Sequence, residues 1–144
     1  MRLRDIGVAI ALDDFGTGYS SLASVENLPL TRIKLDRSLI AGIDTNPRSA
    51  AIARAIIGMC QGLGLEITAE GVERPEQFAL LLGQPGMYLQ GYLLARPVSR
   101  DELLAALPHV NARSQELLLQ SQSLESSNTR SLWTVSSLSL PQVG

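Results

Sequence analysis

The sequence predicts an α/β fold built on a parallel sheet, and the first two observations behind this concern the order of its segments. Four short runs rich in apolar residues each deliver a polar side chain at or near their end, at residues 8–12, 32–35, 65–69 and 87–89. Segments with helical periodicity lie between these runs or follow the last one, at residues 20–27, 47–63, 75–82 and 99–107. Such connections are long enough to return each strand parallel to the one before it.

The third observation, strand parity, favours a barrel over an open sheet covered by helices on both faces. In the first run Val8, Ile10 and Leu12 share one face, and the opposite face is small or polar and carries Asp13. A strand buried on both faces reads as continuous apolar sequence, whereas a barrel can place polar layers inside. The prediction is a partial (β/α)8 TIM-type barrel with four polar side chains on its inner rim: Asp13, Lys34, Glu70 and Gln90.

Two adjacent carboxylates, Asp13 and Asp14, mark the candidate active site because they precede a glycine-broken loop. Like charges at one rim of a sheet are tolerable when a cation lies between them, and a divalent metal ion is the obvious candidate. The alternative is that both residues cap the next helix, since Asp is a favoured helix starter. The predicted loop consists of Phe15, Gly16, Thr17, Gly18, Tyr19 and Ser20.

Four motifs occur in a fixed order: DDFGTGYSSL at 13–22, KLDRSL at 34–39, AEGVE at 69–73 and QGYLLARP at 90–97. Together they resemble the EAL domain family of bacterial signalling, whose members hydrolyse the second messenger cyclic di-GMP. The resemblance runs from about residue 3 to residue 107. It implies a metal-dependent phosphodiesterase, a hydrolase that uses two Mg²⁺ (magnesium) or Mn²⁺ (manganese) ions to open cyclic di-GMP to linear pGpG. Such hard cations suit carboxylate oxygen ligands.

The resemblance assigns metal and catalytic roles to individual residues. Asp13 resembles the carboxylate that bridges both metal ions, and Asp14 and Glu70 resemble ligands of the second ion. Lys34 resembles the catalytic lysine that steadies the nucleophilic water and the phosphate. Glu70 also resembles a general base, and the sequence leaves both roles open.

Glu73 and Gln90 resemble residues of the substrate pocket. Each assignment has a simpler alternative. Lys34 could be an ordinary strand lysine whose ammonium reaches solvent, and Glu73 could only favour the start of the following helix.

The resemblance covers the C-terminal four βα units of the family's barrel. The Glu-Ala-Leu motif that names the family, and the remaining ligands of its first metal ion, have no counterpart in these residues. A complete barrel usually needs about 250 residues, so the chain is expected to be a truncated domain with weak or no activity alone. Two open sheet edges favour self-association or a companion chain or domain that completes the barrel. The alternative function is a non-catalytic module that binds cyclic di-GMP or a partner protein.

Composition changes after the matching part. Residues 1–107 are predicted to form the half barrel, and residues 108–144 a Ser/Leu-rich, flexible extension with a possible short helix around residues 115–124. A net charge of −2 gives no support for DNA or RNA binding. No stretch reaches the length of about 18 apolar residues that spans a membrane, and the ordinary composition predicts a cytoplasmic protein.

Overall fold

The computed structural model describes residues 3–18 and 22–125, which form an α/β unit with four strands. A short 3₁₀ helix, Leu3–Ile6, precedes the first strand. The strands are β1 (Ala11–Phe15), β2 (Arg32–Leu35), β3 (Glu66–Ala69) and β4 (Met87–Leu89). The helices are α1 (Leu22–Asn27), α2 (Arg37–Ile40), α3 (Pro47–Gly62), α4 (Pro75–Leu81) and α5 (Leu103–Glu125).

The sheet is parallel, with its strands in the order β1-β2-β3-β4. Each strand therefore neighbours the next one in the sequence, which is the strand order of a (β/α)8 barrel and differs from an open sheet whose order reverses. Within the described residues β1 has a strand neighbour on one side only, and so does β4.

The two faces of the sheet differ as the sequence parity predicts. On one face Ile33, Leu35 and Ile67 are completely buried under the helices, and each such side chain contributes about 1.5–3 kcal/mol relative to an exposed one. The other face carries Arg32, whose guanidinium bonds the Glu66 carboxylate with Nε–Oε2 at 3.0 Å. This face of the sheet, below the rim, thus carries charged side chains that pair with each other, whereas the opposite face carries apolar ones.

Two of the predicted helices agree closely with the structure. Helix α3 begins where the side chain of Asn46 accepts hydrogen bonds from the amides of Arg48 and Ser49, with Pro47 in the first turn. Helix α4 also begins at a proline, Pro75. The observed ends, Gly62 and Leu81, lie one residue before the predicted ends.

The structure differs from the sequence prediction at two other elements. Strand β1 extends to Phe15, so that Asp13 and Asp14 lie within the strand and not after it. Helix α2 follows β2 directly and was not predicted, because Asp36, its N-cap, and the four residues after it are too short for a periodic pattern. The predicted helix over 20–27 is described only from Leu22 onwards.

The last helix crosses the predicted domain boundary. Helix α5 starts at Leu103, four residues later than predicted, and continues through Pro108 to Glu125. Its Leu117 is only 1% exposed and belongs to the core, which offsets the backbone hydrogen bond that Pro108 removes. The division at residue 107 therefore falls inside a packed helix, and residues 126–144 lie outside the described part. In residues 3–18 and 22–125 no helix has the length and apolarity needed to cross a bilayer.

Candidate metal centre

An irregular step in β1 places two consecutive carboxylates at the rim of the sheet. Leu12 pairs with Ile33 and Phe15 pairs with Leu35, so Asp13 and Asp14 together lie opposite the single residue between Ile33 and Leu35. Asp14 has a φ of 52°, in the left-handed region that Asp tolerates better than most residues. This is the geometry of a β-bulge, a device that redirects a side chain next to functional sites.

The carboxylates of Asp13, Asp14 and Glu70 converge. Each offers one oxygen, and the three oxygens lie within 4.8 Å of one another. Glu70 follows β3 directly, and its backbone amide donates to the carbonyl of Leu35 at 3.1 Å, which extends the strand ladder to the rim. A set of carboxylate oxygens is the donor chemistry that Mg²⁺ and Mn²⁺ require, so these residues fit a hard divalent cation.

Lys34 lies between the strands that carry these acids and contacts two of them. Its Nζ is 2.7 Å from Asp13 Oδ1 and 2.6 Å from Glu70 Oε1. Two like charges about 4 Å apart repel by about 1 kcal/mol in a water-like medium, and the ammonium offsets this repulsion. The cluster is therefore three carboxylates, two of which contact the same ammonium.

The same contacts change the protonation equilibria of both partners. The hydrogen bond from Lys34 lowers the pKa of Asp13, with a smaller opposing effect of burial. The hydrogen bonds to Asp13 and then Glu70 raise the pKa of Lys34 above its usual range. Lys34 is thus a cation throughout the physiological pH range, and Asp13 an anion.

The loop after Glu70 is fixed by contacts on both sides. Gly71 has a φ of 69°, and a Cβ there would overlap the side chain of Arg37. Arg37 also pairs with Glu73 at 3.2 Å. Glu73 donates its backbone amide to Gln77 Oε1 at 2.9 Å. The structure thus places Glu73 beside the rim but pairs its carboxylate with α2 rather than with the carboxylate cluster.

Gln90 occupies the corresponding position after β4. Its amide donates to the carbonyl of Ala69 at 2.9 Å, and its own carbonyl accepts from Val72 at 3.1 Å. Gly91 follows because a Cβ at that position would overlap the backbone of Val72. These bonds hold Gln90 next to the strand end that carries Glu70.

The predicted site residues fall into three groups. Asp13, Asp14, Glu70 and Lys34 meet at one point, so Lys34 is not a solvated strand lysine; its side chain is 28% exposed. Gln90 and Glu73 lie on neighbouring segments of the same rim. The catalytic, metal-binding and substrate-binding roles of all six remain predictions.

The helix-capping alternative for the two aspartates does not fit the geometry, since both lie within β1.

The predicted loop is only partly a loop. Phe15 is the last residue of β1 and is buried in the core at 6% exposure. Gly16 has a φ of 114° and lies against Leu39. Thr17 donates both its amide and its hydroxyl to the carbonyl of Asp14, and Gly18 follows with a φ of 93°. Tyr19 and Ser20 lie outside the described residues.

Sequence reasoning missed a partly buried polar network behind the rim. Arg74 forms a two-pronged ion pair with Asp44, with contacts of 2.7 and 2.6 Å. Gln77, at 1% exposure, accepts from Glu73 and Arg74 and donates to the carbonyls of Ile40 and Ala41. The pair spans 30 residues of sequence, so no local pattern could have revealed it.

Comparison with known proteins agrees with this architecture. Residues 1–97 match the EAL domain family. Cyclic di-GMP phosphodiesterase NbdA of Pseudomonas aeruginosa is 52% identical over 97 residues, which are 67% of this chain and 12% of NbdA. The EAL domain of Mycobacterium smegmatis DcpA matches with a TM-score of 0.68 at 39% identity, over 74% of this chain and 48% of that one. A manganese and cyclic di-GMP complex of Klebsiella pneumoniae BlrP1 matches with a TM-score of 0.59 at 36% identity, over 66% and 24%.

A parallel sheet whose strands follow one another in sequence order is the architecture of a (β/α)8 barrel. The chain belongs to the EAL domain family, and its sheet is part of a (β/α)8 barrel. Both statements confirm the sequence prediction. The matching part of the chain spans 12% of the length of NbdA.

Proposed function

We propose that this chain forms part of the active site of a metal-dependent phosphodiesterase that hydrolyses cyclic di-GMP to linear pGpG. The observation that carries the proposal is the convergence of Asp13, Asp14 and Glu70 within 4.8 Å around Lys34. Support comes from relatives that are named cyclic di-GMP phosphodiesterases and from the manganese complex of BlrP1.

Asp13, Asp14 and Glu70 would hold divalent metal ions, with Asp13 as the residue shared between two of them. Such ions, when bound, lower the pKa of water and neutralise charge that develops on the phosphate. The exposure of two of these carboxylates differs in a way that suits separate roles: the Asp13 side chain is 62% exposed, and that of Glu70 is 17% exposed. Asp13 faces the open side of the rim, where a phosphodiester would arrive.

Lys34 would orient the attacking water and one phosphate oxygen. Its pKa is raised by hydrogen bonds to Asp13 and Glu70, so the ammonium keeps its charge, has one N–H beyond those two bonds, and cannot act as a base. A proton removed from water would therefore go to a carboxylate, and Glu70, 2.6 Å from the Lys34 Nζ that would orient this water, is the candidate. Glu70 keeps its two alternatives in this proposal, as metal ligand and as general base.

A second candidate function is binding of cyclic di-GMP without hydrolysis. It is favoured by the one carboxylate cluster that the described residues form, because two ions would need more ligands than these three carboxylates, and strands beyond β1 and β4 would have to carry them. The single-sided pairing of β1 and β4 is where self-association or a companion chain or domain would add those strands. Without such added strands, the chain would bind cyclic di-GMP but would not hydrolyse it.

The test measures binding and turnover together on the full chain. Mn²⁺ affinity is measured by calorimetry, and conversion of cyclic di-GMP to pGpG by liquid chromatography. Asp13→Asn should remove both, and Asp101→Asn, a carboxylate before α5 outside the cluster, should change neither. Binding of cyclic di-GMP with no pGpG would support the second candidate. Equal losses in both variants would mean that Mn²⁺ binds through diffuse surface charge, and the proposal would fail.

A further inference from the structure

The two outer strands of the sheet have edges that are complementary to each other. Within residues 3–18 and 22–125, β1 pairs with β2 alone and β4 pairs with β3 alone. All four strands are parallel, so β4 of one copy can take β1 of a second copy as its next parallel neighbour. A (β/α)8 barrel has eight strands in this order, and the described residues supply four of them. Two copies therefore provide the number and the direction of strands that close a barrel.

The backbone of Ala11 is directed to the open edge of β1. Its neighbour Ile10 faces β2: the Ile10 amide donates to Thr31 Oγ1 at 3.0 Å, and the Ile10 carbonyl accepts from the Arg32 amide at 3.2 Å. Successive residues of a parallel strand direct their backbone groups to alternate sides. The amide and carbonyl of Ala11, an exposed residue, therefore point away from β2. Such an edge is a template for a further strand.

The same alternation directs Leu89 to the open edge of β4. The Gly86 carbonyl accepts from Ile67 at 2.8 Å, and the Gln90 amide donates to Ala69 at 2.9 Å. Positions 86, 88 and 90 therefore face β3, and the backbone groups of Leu89 point to the other side. Each open edge thus offers both a donor and an acceptor to the other.

The inner face of the sheet can be enclosed without leaving a charge unpaired. The Arg32 guanidinium bonds Glu66, and its Cζ lies 4.4 Å from the centroid of the Tyr88 ring. The Tyr88 hydroxyl donates to Glu66 Oε1 at 3.2 Å. This layer spans β2, β3 and β4 and carries no net charge, yet Tyr88 is 48% exposed. Two copies that face each other across this layer neither repel nor bury an isolated ion there.

We propose that two copies of this chain pair β4 with β1 at two equivalent seams and close one eight-stranded barrel. A head-to-tail contact of this kind ends in a closed ring when its rotation closes, here after two copies. Parallel pairing keeps the carboxyl ends of all strands at one rim. The second copy thereby adds its own Asp13, Asp14 and Glu70 to the rim that carries the candidate metal centre. The inference rests on the geometry of the sheet and goes beyond the proposed reaction, on which it does not depend.

The test follows the mass of the full chain and the protection of its strand edges. Analytical ultracentrifugation should show a species of twice the 15.5 kDa chain mass and none larger, because closure uses both edges. Hydrogen exchange is followed by mass spectrometry at rising protein concentration. Peptides over residues 9–12 and 87–90 should gain protection together as the dimer forms, and peptides of α5 should not.

A matched pair of variants removes and keeps the edge donor. Ala11→Pro lacks the amide and is compatible with an edge strand. It should raise the dimer dissociation constant at least about tenfold, since each of the two seams loses a hydrogen bond. Ala11→Ser keeps the amide and should stay within about threefold of wild type. If Ala11→Pro does not fold, as judged by circular dichroism, the exchange pattern of wild type decides alone.

Mn²⁺ reports whether the two copies share the metal centre. It should lower the dimer dissociation constant at least about threefold in wild type and in Asp101→Asn, and not in Asp13→Asn. A dimer that ignores Mn²⁺ would overturn the contribution of the second copy to the metal centre.

Three results would overturn the barrel closure itself. The first is a wild-type chain that remains a monomer at about 1 mM. The second is a ladder of species larger than the dimer, which indicates edge pairing that does not close. The third is a dimer that protects α5 while the edges of β1 and β4 exchange as in the monomer, which indicates docking through the helices.

Discussion

Replacement of Asp13 by Asn should separate charge from geometry at the candidate metal centre. Asn keeps an oxygen that can accept from Lys34 Nζ and from the Asp14 amide, as Asp13 Oδ1 does at 2.7 and 3.0 Å. The local structure should therefore survive while one of three negative charges is lost. We expect Mn²⁺ binding, already weak with three carboxylates, to fall below detection.

The magnitude follows from the exposure of the side chain. Asp13 is 62% exposed, so the dielectric constant is close to that of water and a pair of unit charges 4 Å apart gains about 1 kcal/mol. A divalent ion doubles this to about 2 kcal/mol, which corresponds to about 30-fold in affinity. Calorimetric titration of both proteins with Mn²⁺ measures it. Affinity within about threefold of wild type would show that Asp13 is not a ligand and would refute the reasoning.

Three further predictions concern turnover, packing and acid stability. The chain alone should hydrolyse cyclic di-GMP at least about 100-fold more slowly than an intact EAL domain, because losing one ion removes several kcal/mol of transition-state stabilisation. The rate is measured as pGpG formed with Mn²⁺, and comparable rates for the two proteins would contradict this prediction. Gly91→Ala should destabilise the fold by about 3 kcal/mol in urea unfolding, since the Cβ of an alanine at position 91 would overlap the Val72 backbone. The control Gly58→Ala adds a Cβ in open space within α3 and should stabilise the fold by up to about 1 kcal/mol. Arg74 lowers the pKa of Asp44 through a hydrogen bond, so this carboxylate stabilises the fold fully above its unfolded pKa of about 3.9 and loses that effect as pH falls through the lower folded value. Unfolding curves at several pH values should therefore show a smaller acid loss in Asp44→Asn, and identical acid profiles would argue against the pair.

The inner face of the barrel could be predicted from sequence because side-chain alternation in a strand is a local property. Parity alone places Thr68 and Glu70 on the same face of β3. The structure pairs Lys34 with Thr68, which puts Glu70 on the face of Lys34. The fold followed from the same patterns, with α3 and α4 marked by prolines at their starts. Such signals lie within a few residues of the feature that they predict.

The parts that could not be predicted depend on distant contacts. Asp44 and Arg74 meet only because the loop after α2 and the start of α4 lie together in space. Pro108 suggests the end of a helix, yet α5 continues because Leu117 is buried further along. In each case tertiary burial outweighs a local preference.

The bulge in β1 combines a feature that the sequence shows locally, the two adjacent acids, with one that depends on a distant strand, the pairing of two residues opposite one. In a regular strand neighbouring side chains point to opposite faces, so Asp14 would point away from the face of Asp13, towards the side where Leu12 packs on the core. A buried carboxylate there would need a partner or would be protonated. With two residues opposite one in β2 and a φ of 52° at Asp14, both carboxylates reach the rim. The adjacent acids are therefore compatible with a folded strand only through this bulge, and the feature that makes the fold possible also brings the Asp14 carboxylate close to that of Glu70.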